Sequence, residues 1–201
     1  MSAPSLILAS SSERRKEILE AMGIAFTIRV ADVDETLLRS ESPADMVLRL
    51  ASAKAAAIPA GPGEIVIAAD TAVVLGEQCF GKPADFEDAL RMLSALSGQT
   101  HQVMTGLAVA SAASVATALS VTDVRFRDIG PDEVRRYWQS GEPQGKAGAY
   151  AIQGRGGMFV EAIMGSYTGV VGLPVFETAR LLQAAGLDVL PAKLIESKSG
   201  A

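Results

Sequence analysis

Residues 65–75 read Ile-Val-Ile-Ala-Ala-Asp-Thr-Ala-Val-Val-Leu, an apolar, β-branched run broken only by Asp70 and Thr71. Such a run has strand character and fits a central, buried strand, in one piece or as two short ones. The carboxylate inside it needs a reason, because Asp is rarely buried without a partner. One reason is a structural hydrogen bond at a strand end. The other is a metal ligand or general base at the edge of a cleft.

Around this run the pattern alternates between strands and helices. Residues 5–9 (Ser-Leu-Ile-Leu-Ala) form a short buried strand, broken by Ser10-Ser11-Ser12. A helix over 13–22 presents Ile18, Leu19 and Met22 on one face and stops at Gly23. A second strand over 25–30 and an acidic loop over 31–36 follow. Ser42-Pro43-Ala44-Asp45 opens a helix that runs to about residue 57. A helix over 85–96, a hairpin of strands over 103–110 and 115–127, and a short helix from Gly130-Pro131 come next. Residues 141–157 are rich in glycine and read as a loop poor in core residues. A strand over 159–164, a loop over 165–172 and a last helix from Pro174 to near Gly186 complete the order. The mixture predicts an α/β fold in a single domain over 1–190, with 191–201 a frayed tail.

Composition excludes several chemistries. The chain of 201 residues has one cysteine, Cys79, and one histidine, His101. A disulfide framework and a Cys/His zinc site are therefore out of reach, and no Ser stands in a Gly-x-Ser-x-Gly setting. Any metal is a hard ion held by carboxylates, such as magnesium. The net charge of −5 argues against a nucleic-acid polymer as partner. Residues 92–122 carry no formal charge, yet they are rich in Ala, Ser, Thr and Gly. They read as the end of a helix and two strands rather than a membrane span. Residues 1–8 have no basic region and no long apolar run, so no signal peptide is expected and the location is expected to be cytoplasmic.

Four groups carry candidate chemistry. Ser10-Ser11-Ser12-Glu13-Arg14-Arg15 lies where a strand feeds a helix, and a helix N-terminus with hydroxyls and arginines suits phosphate. The plain alternative is a serine cap beside a solvated Arg pair. Asp70 with Thr71 is the second group. Glu35, Lys54 and Lys82 are the third. Lys82 is held between Gly81 and Pro83 and offers a point charge for phosphate. Gln153, near Gly154 and followed by Gly165-Ser166-Tyr167, can donate and accept as base recognition requires. Together they suit a Mg²⁺–polyphosphate ligand, and no P-loop motif is present.

In this order, Leu8-Ala9-Ser10-Ser11-Ser12-Glu13-Arg14-Arg15, Ala69-Asp70-Thr71, Gly81-Lys82-Pro83, Leu96-Ser97-Gly98-Gln99-Thr100-His101, and Gly165-Ser166-Tyr167 through Val171-Gly172-Leu173-Pro174 resemble the Maf family. The resemblance implies a nucleoside triphosphate pyrophosphatase with an inosine triphosphatase-like fold: a mixed, twisted sheet flanked by helices, two lobes and a cleft. It also implies a divalent cation (Mg²⁺, with Mn²⁺ an alternative), a homodimer, and a link to septum formation and cell division arrest. Asp70 matches the catalytic proton acceptor. Arg14, Thr71 and Gln153 match the specificity positions as they stand in the branch acting on dTTP and UTP. The 7-methyl-GTP branch resembles the chain less. Ser10, Ser12, Arg15, Lys54 and Lys82 match phosphate-handling positions, and Asp70 with Glu35 matches the metal ligands. Two departures stand out: Glu13 in place of a proline, putting a negative charge near the phosphate site, and Thr168-Gly169 in place of Ser-Asn near the base pocket. A pyrophosphatase for another modified nucleotide, or a nucleotide-binding regulator acting through a protein partner, are the competing readings.

Overall fold

The computed structural model describes residues 4–30, 32–36 and 38–190. The expected frayed tail, residue 31 of the acidic loop and residues 1–3 lie outside them.

The described residues form a mixed, seven-stranded sheet: β1 (Ser5–Leu8), β2 (Phe26–Ile28), β3 (Glu64–Leu75), β4 (Gln78–Phe80), β5 (Thr100–Ser111), β6 (Val115–Phe126) and β7 (Val160–Met164). Strand order is β2-β1-β3-β5-β6-β7, with β4 also paired to β3. β1 runs parallel to β2 and β3, and every other pairing is antiparallel. The apolar run is thus one strand of 12 residues.

Helices cover both faces: α1 (Glu13–Ala21), α2 (Pro43–Ala56), α3 (Phe86–Leu96), α4 (Pro131–Gln139), α5 (Tyr167–Val171) and α6 (Val175–Ala184). Side chains alternate across a strand, so β3 feeds cores on its two faces. Val66 and Ala68 pack on Ala51 and Ala55 of α2, and further along Ala72 and Val74 pack on Met46, Val47 and Leu50 of the same helix. The odd-numbered residues face the other way. Ile65, Ile67 and Ala69 meet Leu19 of α1 and Leu181 and Leu182 of α6, whereas Val73 joins a cluster with Leu93 of α3 and Val134 of α4. Asp70 and Thr71 sit where one set of clusters hands over to the next.

α2 starts as its sequence requires. Pro43 takes the first turn, and the Ser42 hydroxyl accepts the Asp45 N–H at 3.1 Å. α3 is capped by Asp85, which accepts the Asp88 N–H at 2.9 Å. α2 lies very close to the sheet at Gly106, where a Cβ would stand 2.3 Å from the Val47 carbonyl oxygen. Only glycine permits that approach.

Two sequence expectations are corrected. Residues 141–157 are not poor in core residues: Ala149, Tyr150 and Ile152 are buried, and 3-10 turns form over Ala147–Ala149 and Arg155–Phe159. A carboxylate holds this segment together. Glu142 accepts the Tyr137 hydroxyl at 2.7 Å and the N–H groups of Arg155 and Gly156 at 2.9 Å each. The stretch 165–172 is not all loop, because Ser166 caps the short helix α5 by accepting the Gly169 N–H at 3.0 Å.

Candidate active site

The sheet leaves a gap beside β3. β1 stops where Leu8 pairs with Ile67, and β4 begins only where Phe80 pairs with Val73. Between them β3 has a strand neighbour on one side only. The cavity of about 790 Å³ that opens there contains all ten residues singled out from the sequence: Ser10, Ser12, Arg14, Arg15, Glu35, Lys54, Asp70, Thr71, Lys82 and Gln153. Its place beyond the carboxyl end of the parallel strand β1 follows a general rule of α/β sheets.

One end of the cavity is acidic. Asp70 points toward α2, and Lys54 on that helix donates to its Oδ1 at 2.6 Å. The same ammonium reaches Glu35 Oε1 at 2.6 Å. Two carboxylate oxygens so close to one nitrogen lie no more than about 5 Å apart. The Lys54 hydrogen bond, with the charges of Lys54, Lys82 and Arg15, holds Glu35 below the usual carboxylate range. Among the described residues no cluster of three or more Asp, Glu, His or Cys side chains is placed to hold a metal alone. The Asp70–Glu35 pair still fits a hard cation that takes its other ligands from phosphate oxygens and water.

α1 starts at the cavity without a side-chain cap: Ser12 occupies the N-cap position, and its hydroxyl makes no capping bond. The first N–H groups therefore stay open to an anion. Ser10 is buried and accepts from the Ser12 N–H at 3.2 Å and from Arg15 Nη1 at 3.1 Å. Arg15 also donates to the Gly172 carbonyl at 2.9 Å and to Thr71 Oγ1 at 3.4 Å. Burial pulls its guanidinium down to about 10, against the opposing pull of Asp70. Thr105 gives its proton to the Gly169 carbonyl at 2.8 Å, so the Thr71 hydroxyl donates to Thr105 across 3.0 Å. Thr71 is therefore linked to both Arg15 and Thr105 at the cavity wall.

Arg14, beside it in the helix, donates to the Val171 carbonyl at 3.2 Å, one residue before the carbonyl that Arg15 holds. Lys82 follows the turn after β4, and that turn is fixed because Gly148 N–H donates to the Gly81 carbonyl at 3.0 Å. Gln153 is exposed at the cavity margin. Cys79 also lines the cavity, but burial pushes its thiol up, away from the thiolate a nucleophile needs. Sequence reading missed Lys146, which lines the same cavity. The signal was present in Gly145-Lys146-Ala147-Gly148, a lysine held among glycines much as Lys82 is.

Of the two departures, Glu13 does line the cavity, at its exposed rim. The Glu13 carboxylate is 74% exposed and pairs with Lys16 at 3.3 Å. Thr168 and Gly169 are not among the residues that line the cavity. Gly169 instead lets α5 approach β6, since a Cβ there would lie 3.0 Å from Ser120 Oγ.

The chain resembles proteins of known name over most of its length. It is 54% identical over 191 residues to a dTTP/UTP pyrophosphatase of Anaeromyxobacter dehalogenans, covering 93% of this chain and 97% of the relative. It is 49% identical over 187 residues to a dTTP/UTP pyrophosphatase of Pseudoalteromonas atlantica (90% and 97% covered). It is 46% identical over 188 residues to one of Hahella chejuensis (92% and 94% covered). Residues 5–185 match the family described as Maf-like protein, and the chain belongs to that family.

Proposed function

We propose that this chain is a nucleoside triphosphate pyrophosphatase that hydrolyses dTTP and UTP to the monophosphate and pyrophosphate. The observation that carries the reading is Asp70, fixed mid-strand in the β3 gap and joined through Lys54 to Glu35, at one end of a cavity lined by Ser10, Ser12, Arg15 and Lys82. That layout suits a polyphosphate next to a base.

In the reaction, water attacks the α-phosphorus, the new oxygen–phosphorus bond forms, and the bond from that phosphorus to the bridging oxygen breaks. Asp70 takes the water's proton. Pyrophosphate leaves with its charge met by Arg15, Lys82 and the open N–H groups of α1. Lys54 holds Asp70 in place and balances its charge. Asp70 and Glu35 would hold Mg²⁺, or Mn²⁺, which when bound neutralises phosphate charge and orients the reacting oxygens. In this reading Gln153, at the cavity margin, meets the base, and Arg15, which donates to Thr71, meets the phosphates. The same reading makes the enzyme a cytoplasmic homodimer. Among the described residues no helix is long and apolar enough to cross a membrane.

The test is pyrophosphate release from dTTP, UTP, CTP, dATP, GTP and 7-methyl-GTP, with Mg²⁺ and with EDTA, for wild type and Asp70→Asn. Metal-dependent release from dTTP and UTP that falls by at least about 10³-fold in the variant is expected. Near-normal turnover by Asp70→Asn would overturn the role of Asp70. Binding without any turnover by wild type would favour a nucleotide-binding regulator.

A further inference from the structure

Gln153 is an exposed side chain on a four-residue turn from Ala151 to Gly154, closed by a 3.2 Å donation from the Gly154 N–H to the Ala151 carbonyl. Tyr150, Ala151, Ile152 and Gln153 form a continuous stretch of the cavity wall. A functional side chain on so small a turn needs further support to keep one geometry. The support comes from behind the wall, from Tyr137 and Glu142, neither of which lines the cavity. Tyr137 is buried on α4, and Glu142 is half-buried just beyond that helix.

Tyr137 holds the start of the turn and Glu142 holds its end. The Tyr137 hydroxyl accepts the Ala151 N–H at 3.1 Å and donates its own proton to Glu142 Oε1 at 2.7 Å. Glu142 Oε1 also accepts the Gly156 N–H, and Oε2 accepts the Arg155 N–H, each at 2.9 Å. Burial and the bond to Glu142 push the Tyr137 hydroxyl up, so it keeps the proton it donates. Burial opposes the charge on Glu142, yet the bonds it accepts carry its carboxyl below the usual range. Hydrogen bonds to a carboxylate are stronger than those between neutral groups. The packing is equally close. A Cβ at Gly154 would collide with the Glu142 carboxylate, and one at Gly156 would lie 2.6 Å from the Tyr137 hydroxyl oxygen.

Gln153 therefore lies midway between two anchored backbone groups, Ala151 N–H and Arg155 N–H. The neighbouring part of the wall has its own tie, from the Gly148 N–H to the Gly81 carbonyl beside Lys82 at 3.0 Å. Weakening the Tyr137–Glu142 relay thus loosens the turn that carries Gln153 and leaves the tie at Lys82 in place. We infer that Glu142, with the Tyr137 hydroxyl as its relay, is a positioning residue that fixes the Gln153 amide against the nucleotide base. This rests on the pyrophosphatase reading above, in which Gln153 meets the base. Glu142 acts only through the turn, so its effect on substrate exists only while the Gln153 amide is there to be held.

The experiment measures kcat and KM for UTP and dTTP with wild type, Glu142→Gln, Tyr137→Phe, Gln153→Ala and the double variant Glu142→Gln/Gln153→Ala. It also measures the rise in Tm given by UMP and by inorganic pyrophosphate. Glu142→Gln keeps the size of the side chain, removes its charge and leaves one acceptor oxygen where there were two. It is expected to lower kcat/KM for UTP about tenfold, mainly through KM, and Tyr137→Phe to act in the same direction. UMP protection drops in both while pyrophosphate protection stays. In the Gln153→Ala background, Glu142→Gln should change kcat/KM by less than about twofold, because the group it positions is gone. Losses that multiply in the double variant, or UMP and pyrophosphate protection that fall together, would show a general structural role and overturn the inference. Unchanged kcat/KM in Glu142→Gln and Tyr137→Phe overturns it too. Should Glu142→Gln fail to fold, Tyr137→Phe carries the same comparison with Gln153→Ala. If wild type releases no pyrophosphate from UTP or dTTP, the pyrophosphatase reading fails. In that case UMP protection weakened alike by Glu142→Gln and Gln153→Ala retains the inference, and its absence ends it.

Discussion

Lys54 shows how much of the site depends on one nitrogen. Its ammonium lies 2.6 Å from both Asp70 and Glu35, and its side chain is only 15% exposed. Removing it leaves two carboxylates facing each other with no cation between them. Lys54→Met is expected to lose about 1–3 kcal/mol of stability, less than a fully buried pair would, because Glu35 is half-exposed. Turnover should fall about 10²–10³-fold, as when a preorganised charge is taken from an active site. The decisive reading is metal dependence. A divalent cation at Asp70 and Glu35 replaces the missing charge, so Mg²⁺ should raise the Tm of the variant by more than it raises that of wild type. An equal response in both would remove the two carboxylates from the metal site. Asp70 was legible in the sequence because a carboxylate in an apolar strand stands out. Lys54 and Glu35 were visible only as separate charges until the family resemblance gave them roles. Their meeting needs α2 and the acidic loop to converge on β3. Lys146 was passed over although Gly145-Lys146-Ala147-Gly148 holds a lysine among glycines as Gly81-Lys82-Pro83 does, because nothing in the sequence says that this stretch lines the cavity.

The long elements were legible and the short ones were not. α2, α3 and the β5–β6 hairpin carry clear periodicity, caps or turns, and their observed limits lie within three residues of the expected ones. β4 and α5 span 3 and 5 residues, too few for a period to show. Gly106 was equally silent: a glycine inside a strand signals close backbone approach without saying what approaches. Here it is α2. Gly106 pairs with Asp70 across the sheet, and the helix it admits carries Lys54 two turns beyond Val47. A Cβ at 106 would meet Val47 O at 2.3 Å, Val47 C at 2.4 Å and Leu48 N at 2.7 Å, all backbone, so no side chain can swing away. Gly106→Ala must push α2 off the sheet. It is expected to cost about 3 kcal/mol or more in urea unfolding, at the upper end for overpacking. It should also lower kcat by about tenfold or more, since lengthening the Lys54–Asp70 contact disturbs catalytic geometry. A variant with wild-type kcat would show that α2 does not set the position of Lys54.

At the scale of the whole molecule, α/β class and a single run of alternating elements were readable, but strand order was not. Nothing local says that β1 should sit between β2 and β3, or that β3 should outrun β1 and so open the cavity. The same is true of the core around the sole histidine. His101 on β5 is 1% exposed, lies edge-on to Phe126 at 4.7 Å, and shares a 2.9 Å hydrogen bond with the Tyr150 hydroxyl. Nδ1 has no partner among the described residues. Burial lowers its pKa to about 4, so the folded protein holds it neutral. The unfolded chain takes up a proton near pH 6.5. Between those two values the unfolded state binds a proton that the folded state does not, so stability falls as pH falls. The contribution is fully present above about pH 6.5, and about 3 kcal/mol is lost by pH 4. Carboxylates whose pKa values folding lowers, such as Glu133 at about 2, act at more acid pH. The window from pH 6.5 to 5 therefore belongs mainly to His101. Urea midpoints at pH 7, 6 and 5 should decline for wild type and stay nearly level for His101→Gln, whose side chain does not titrate. Parallel declines would mean that groups other than His101 set the acid response of the fold.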